Sequence, residues 1–207
     1  MEKSLKAFKP KNSTEELEGL AIAATLFDRV GGLFASHQKY SDAEGLYQRA
    51  IAIRKSMAAE KPRQSNEDWL RVLYQKQSGT NMKLAEANER LAKLYFTEHK
   101  LTEAAPLFEK SAQIREGEKN GAKQPWAMTL ANLAACYAGL ADYAKAEPLY
   151  KRAIALFEEA DWLEEMETAV TMRNYALLLQ KTGREEAATA MMARAEAIRQ
   201  KVGTSPR

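Results

Sequence analysis

The phrase AEGLYQRAIAI, starting at Ala43, returns as AEPLYKRAIAL at Ala146, with eight of eleven positions identical. Repetition of an amphipathic phrase within one chain constrains the fold more than any other feature, because each copy must bury the same face against a neighbour. Two weaker copies exist, AAPLFEKSAQI at Ala104 and ATAMMARAEAI at Ala188. The starts are separated by 61, 42 and 42 residues, so the first interval carries an insertion of nineteen. A second pattern precedes each phrase. In the third copy Leu130, Leu133, Ala134 and Tyr137 fall at i, i+3, i+4 and i+7, one face of a helix. Its counterparts are Phe27, Val30, Gly31 and Phe34; Asn88, Leu91, Ala92 and Tyr95; and Met172, Tyr175, Ala176 and Leu179. Each unit therefore reads as helix A, a short turn and helix B. Small residues (Gly31, Ala92, Ala134, Ala176 on A; Ala43, Ala104, Ala146, Ala188 on B) mark the points of close approach. The residues that follow on B, Tyr47, Phe108, Tyr150 and Met192, are expected to fill the gap.

This alternation resembles tetratricopeptide repeats, whose usual period is about 34 residues. The 42-residue spacing, with AEPLYKRAIAL and PWAMTLANLAACY, is similar to the longer variant of kinesin light chains. The resemblance covers roughly residues 14–202. It implies an all-α solenoid of stacked helix-turn-helix hairpins in a right-handed superhelix, with the A helices lining its concave side. The expected organisation is a tail over 1–12, an array over 13–202, and a tail over 203–207. Within the array, repeat 1 covers about 14–58, an inserted helix about 62–79, and repeats 2, 3 and 4 about 82–118, 125–160 and 164–202. Ser13 with Glu16 forms a capping box, Pro62 interrupts, Ser65 with Asp68 opens the inserted helix, and Gly79 ends it. Pro125 suits a first helical turn, and Gly121 and Gly183 suit helix ends.

Composition narrows the function classes. A net charge of +3, with no basic stripe carrying interleaved aromatics, argues against nucleic acid as the partner. The single cysteine, Cys136, excludes an internal disulfide framework. No signal peptide is visible, which points to the cytoplasm, and the run GLAIAATLF is too short to span a bilayer before Asp28 and Arg29. His37 and His99 sit beside inter-helix turns and Cys136 beside a packing tyrosine. That inventory supplies no catalytic constellation, metal site or cofactor cradle, so the chain reads as a non-enzyme.

The candidate site is the outward face of the A helices. In the third repeat Met128, Ala131, Asn132, Ala135, Ala138 and Gly139 lie opposite the packing face. The same offsets place Asp28, Arg29 and Gly32 in the first repeat; Glu86, Glu89, Arg90, Lys93 and Phe96 in the second; and Val170, Arg173, Asn174, Leu177 and Lys181 in the fourth. One column runs Arg29, Arg90, Asn132, Asn174. Asparagine pairs with a peptide unit of any sequence because it both donates and accepts, and arginine forks a carboxylate. The resemblance implies the same use, a peptide backbone held by asparagine with basic residues nearby. Ala135 and Gly139 belong to a small-residue floor. The reading is a scaffold that binds an acidic protein or peptide segment along this face. The alternative is a self-association module working through its end faces, where Met191, Met192, Ile198 and Val202 have no following helix to cover them.

Overall fold

The computed structural model describes residues 14–59, 67–118, 122–162 and 165–204. Among them are eight α-helices: α1 Thr14–Ser36, α2 Tyr40–Ala58, α3 Glu67–Thr97, α4 Leu101–Gly117, α5 Lys123–Gly139, α6 Tyr143–Glu159, α7 Met166–Lys181 and α8 Glu185–Thr204. The fold class is that of an all-α helical-repeat solenoid. Residues contact one another in two compact units, Met1–Arg90 and Leu91–Arg207.

Four A–B turns share one geometry. Gln38, His99, Ala141 and Gly183 occupy the left-handed region at φ 60°, 58°, 60° and 76°. The amide after each closes a six-residue loop onto the helix: Lys39 onto the Phe34 carbonyl at 2.9 Å, Lys100 onto Tyr95 at 2.8 Å, Asp142 onto Tyr137 and Arg184 onto Leu179, both at 2.9 Å. These are Schellman closures, which satisfy the carbonyls that a helix end leaves open. Only the fourth turn uses glycine, as its sequence predicts. The other three hold a residue with a Cβ in a conformation that costs about 1 kcal/mol or more. His99 is thus a turn residue, and His37 caps the same kind of turn, its Nδ1 2.8 Å from the Leu33 carbonyl.

In the second unit the helices pack as the repeat pattern requires. Ala134 and Ala146, and likewise Ala176 and Ala188, are buried where each A helix crosses its B partner. The following aromatic plugs the space beyond: Phe108 and Tyr150 are each 1% exposed. The next A helix then closes over it. Leu133 and Cys136 of α5 share a cluster with Ala104 and Phe108 of α4. Tyr175 and Leu178 of α7 share one with Ala146 and Tyr150 of α6. The rings of Tyr150 and Tyr175 lie 5.9 Å apart. Hydroxyls stitch the same joints, Tyr137 donating to Glu109 and Tyr175 to Glu147 at 3.3 Å. Met192 does not follow this pattern. It is 36% exposed, because no described helix covers the α7/α8 pair. Met191 and Ile198, expected at the free end, instead pack onto the α6–α8 core.

The first unit pairs α1 with α2. Gly31 stands where the other A helices carry alanine, and a Cβ there would lie 3.0 Å from the Tyr47 ring. Glycine lets that ring seat closely against α1. Val30, expected in the core, is 38% exposed. The inserted helix is not a separate element. α3 runs unbroken from Glu67 through Gly79 into helix A of the second repeat. Gly79 is not left-handed, so it costs helix propensity without ending the helix. Pro62, Ser65, Ser13 and Gly121 lie outside the described residues. The apolar stretch is also longer than GLAIAATLF implies. Glu18–Ser36 reaches a mean hydropathy of 1.2, long and apolar enough by composition to cross a bilayer, since apolar residues resume after Arg29.

The turn geometry generates a stability prediction. Ala141→Gly should stabilise by about 0.5–1 kcal/mol, and Gly183→Ala should destabilise by about 1 kcal/mol, because only the left-handed backbone distinguishes them; thermal melts of both variants measure this. A second concerns acid. Glu147 accepts both arms of the Arg184 fork at 2.7 and 2.8 Å and also pairs with Lys151 at 2.8 Å. Arg184 first, then Lys151, pulls its carboxyl from 4.5 down to about 2. A depressed carboxyl stabilises the fold above its ordinary pKa, and that contribution disappears as pH falls through the folded value. Glu147→Gln should therefore cost about 0.5–1 kcal/mol at neutral pH, and its melting curve should converge with the parent's near pH 2.

Candidate interaction face

In the second unit α5 and α7 are successive A helices that touch at a few positions. Asn132 and Asn174 occupy matched positions on them, each half-buried. Ala131, Ala135 and Ala138 beside Asn132 are also half-buried. On α7 the same face exposes Met166, Val170 and Leu177 at 41%, 48% and 42%. The helical offsets alone place Val170 and Leu177 there without indicating a role. Their period of four to seven along a helix flanked by charges is the signal of an apolar contact strip.

Gly139 is exposed at the end of α5, but the space a side chain would take is filled: a Cβ would stand 2.5 Å from Leu101 Cδ1. Its smallness serves packing against α4 and opens no room on the floor.

The charges sort into two groups. Lys93, Arg173 and Lys181 are exposed and make no ion pair among the described residues. In the first unit Arg29 is likewise exposed and unpaired among them. Arg90 behaves differently. Its Nη1 donates to Asp28 Oδ2 at 2.8 Å, and Glu86 lies 3.8 Å from its Nη2. Asp28 was expected on the outward face, yet its side chain is only 4% exposed. The cause is Arg54 of α2, itself buried, whose Nη2 sits 2.5 Å from the same oxygen. Hydropathy patterning assigns a carboxylate to solvent and cannot anticipate two guanidinium groups converging on it. Asp28 Oδ1 and Arg54 Nη1 are buried with no hydrogen-bond partner, so the cluster is incompletely satisfied.

None of the other reactive side chains joins this face. Cys136 is fully buried, and burial pushes its thiol up to about 12. Among the described residues no three His, Cys, Asp or Glu side chains converge as metal ligands.

Residues 83–159 match the family model described as tetratricopeptide repeat. Comparison with curated proteins gives no significant match. Among solved structures, aspartyl phosphate phosphatase F from Bacillus subtilis is similar at a TM-score of 0.68 and 21% identity, over 92% of this chain and 44% of that one. BtubC from P. vanneervenii is similar at 0.63 and 20%, over 92% and 75%. The putative kinesin light chain repeats of Podosopora anserina are similar at 0.59 and 18%, over 92% and 87%. At these identities the likeness is one of fold. The chain spans less than half the length of the phosphatase F chain.

The buried ion cluster yields a prediction. Asp28→Ala leaves Arg54 buried without its counter-charge, and breaking such a pair costs about 3–5 kcal/mol. Urea titration should show that loss, while Arg29→Ala, on the adjacent exposed position, should change stability by less than about 0.5 kcal/mol.

Proposed function

We propose that this chain, whose residues 83–159 match the tetratricopeptide-repeat family, is a protein-interaction scaffold whose α5/α7 face binds an acidic peptide segment. One observation carries the reading: Arg173 and Lys181, exposed and without an ion pair among the described residues, stand on the same helix as the half-buried Asn174 and the exposed Val170 and Leu177. Unpaired exposed cations beside half-buried amides and an apolar strip provide three complementary contacts. Asn132 and Asn174 pair with the backbone of the ligand. Val170 and Leu177 cover its apolar side chains. Arg173 and Lys181 of α7 meet its carboxylates and speed its encounter, and Lys93 of α3 adds to the positive field of the second unit. Arg29 offers the same chemistry on the first unit. Arg90 contributes less, because Asp28 already holds it.

The test is calorimetric. A library of extended acidic peptides with apolar spacers, screened against the chain, should return binders whose affinity falls with salt. For any binder, Asn132→Ala with Asn174→Ala should weaken binding by about 1–3 kcal/mol through lost hydrogen bonds. Arg173→Gln with Lys181→Gln should reduce the salt dependence. Affinity unchanged in both double variants would refute the assignment of this face.

A further inference from the structure

The outer face of α1 is apolar and open. Ile22, Leu26, Val30 and Leu33 are 62%, 54%, 38% and 63% exposed. The repeat register says what such a face is for. The positions matching Leu26, Val30 and Leu33 are Thr129, Leu133 and Cys136 on α5, exposed 1%, 4% and 0%, and Thr171, Tyr175 and Leu178 on α7, exposed 4%, 6% and 2%. On α5 and α7 this face is sealed by the hairpin before it. Leu133 and Cys136 lie on Ala104 and Phe108, and Tyr175 and Leu178 on Ala146 and Tyr150.

The complementary surface exists at the other end of the chain. Between α7 and α8 is an open trough of about 490 Å³, lined by Ala176, Glu185, Ala188, Thr189, Met192 and Ala193 among others. In the register, Ala188 and Met192 are the counterparts of Ala104 and Phe108, and of Ala146 and Tyr150. Those are the residues that receive the next A helix inside the chain. Large apolar side chains on α1 therefore match a small-residue trough of the kind their counterparts already occupy. Charges agree as well: Arg29 beside the stripe and Glu185 at the trough are both exposed and without an ion pair among the described residues.

We propose that a second copy of this chain covers α1: the outer face of α1 docks into the α7/α8 trough of the next copy, Val30 and Leu33 meeting Met192 and Ala188. The contact is heterologous, so each joined pair still offers one free stripe and one free trough. Assembly proceeds beyond a dimer and needs no ligand in the α5/α7 face, so its test stands apart from that of peptide binding.

Sedimentation velocity over a concentration series reaching about 1 mM, the weak end of measurable association, should show mass rising past that of a dimer. Leu33→Glu disables the stripe and Met192→Glu the trough; each alone should weaken association at least about tenfold while keeping helical circular dichroism. Mixed at equal concentration, the two variants should form a one-to-one dimer and stop there, since one supplies an intact trough and the other an intact stripe. Leu26→Glu, on the same stripe, serves if Leu33→Glu loses helicity. A monomeric parent at every concentration overturns the proposal. So does association that survives Met192→Glu, which would mark stripe-to-stripe pairing, or a mixture that stays monomeric.

Discussion

The close approach of paired helices at one small residue on each is the constraint on which the rest depends. Ala134 with Ala146, and Ala176 with Ala188, let the backbones draw together. A methylene added at either point would push the pair apart, because protein interiors are packed to crystal density. With the hairpin closed, Phe108 or Tyr150 has a defined space to fill, and filling it creates the surface on which the next A helix lies. The Schellman turns belong to the same constraint. Two helices in close contact need a short reversal, and a left-handed residue provides one even where the sequence offers glutamine, histidine or alanine.

The first unit departs from this scheme in a physically coherent way. Its A helix carries glycine opposite Tyr47, where a Cβ would stand 3.0 Å from the ring. It also buries a carboxylate between two guanidinium groups. A buried ion cluster adds little net stability, since desolvation consumes most of the attraction, but it tolerates few alternative arrangements. It determines which of the basic residues remain available. Arg54 and Arg90 are engaged; Arg29, one residue from Asp28, is free among the described residues. A charge count along the sequence treats all three alike.

Much of the fold was legible in the residues. The fixed distance between AEGLYQRAIAI and its copies, and the small residues repeated at matched positions, identify hairpins and their packing faces. Asn132 and Asn174 were legible as a matched pair for the same reason, since a period assigns both to one column. Three things were not. Gly79 reads as a stop, but a glycine ends a helix only when the chain beyond it turns away, and here α3 continues. Gly139 reads as open floor, but Leu101 of another helix takes the space. Asp28 reads as exposed, but its partners come from 26 and 62 residues away.

The sequence by itself determined the helical hairpins, their spacing and the residues at which helices cross, because these follow from local periodicity and side-chain size. Only the tertiary structure decided which charges are spent internally, which small residues leave real space, and which apolar faces are left open at α1 and α7/α8. Those outcomes depend on what lies across a gap from a residue, and a repeat pattern describes each face without naming its neighbour.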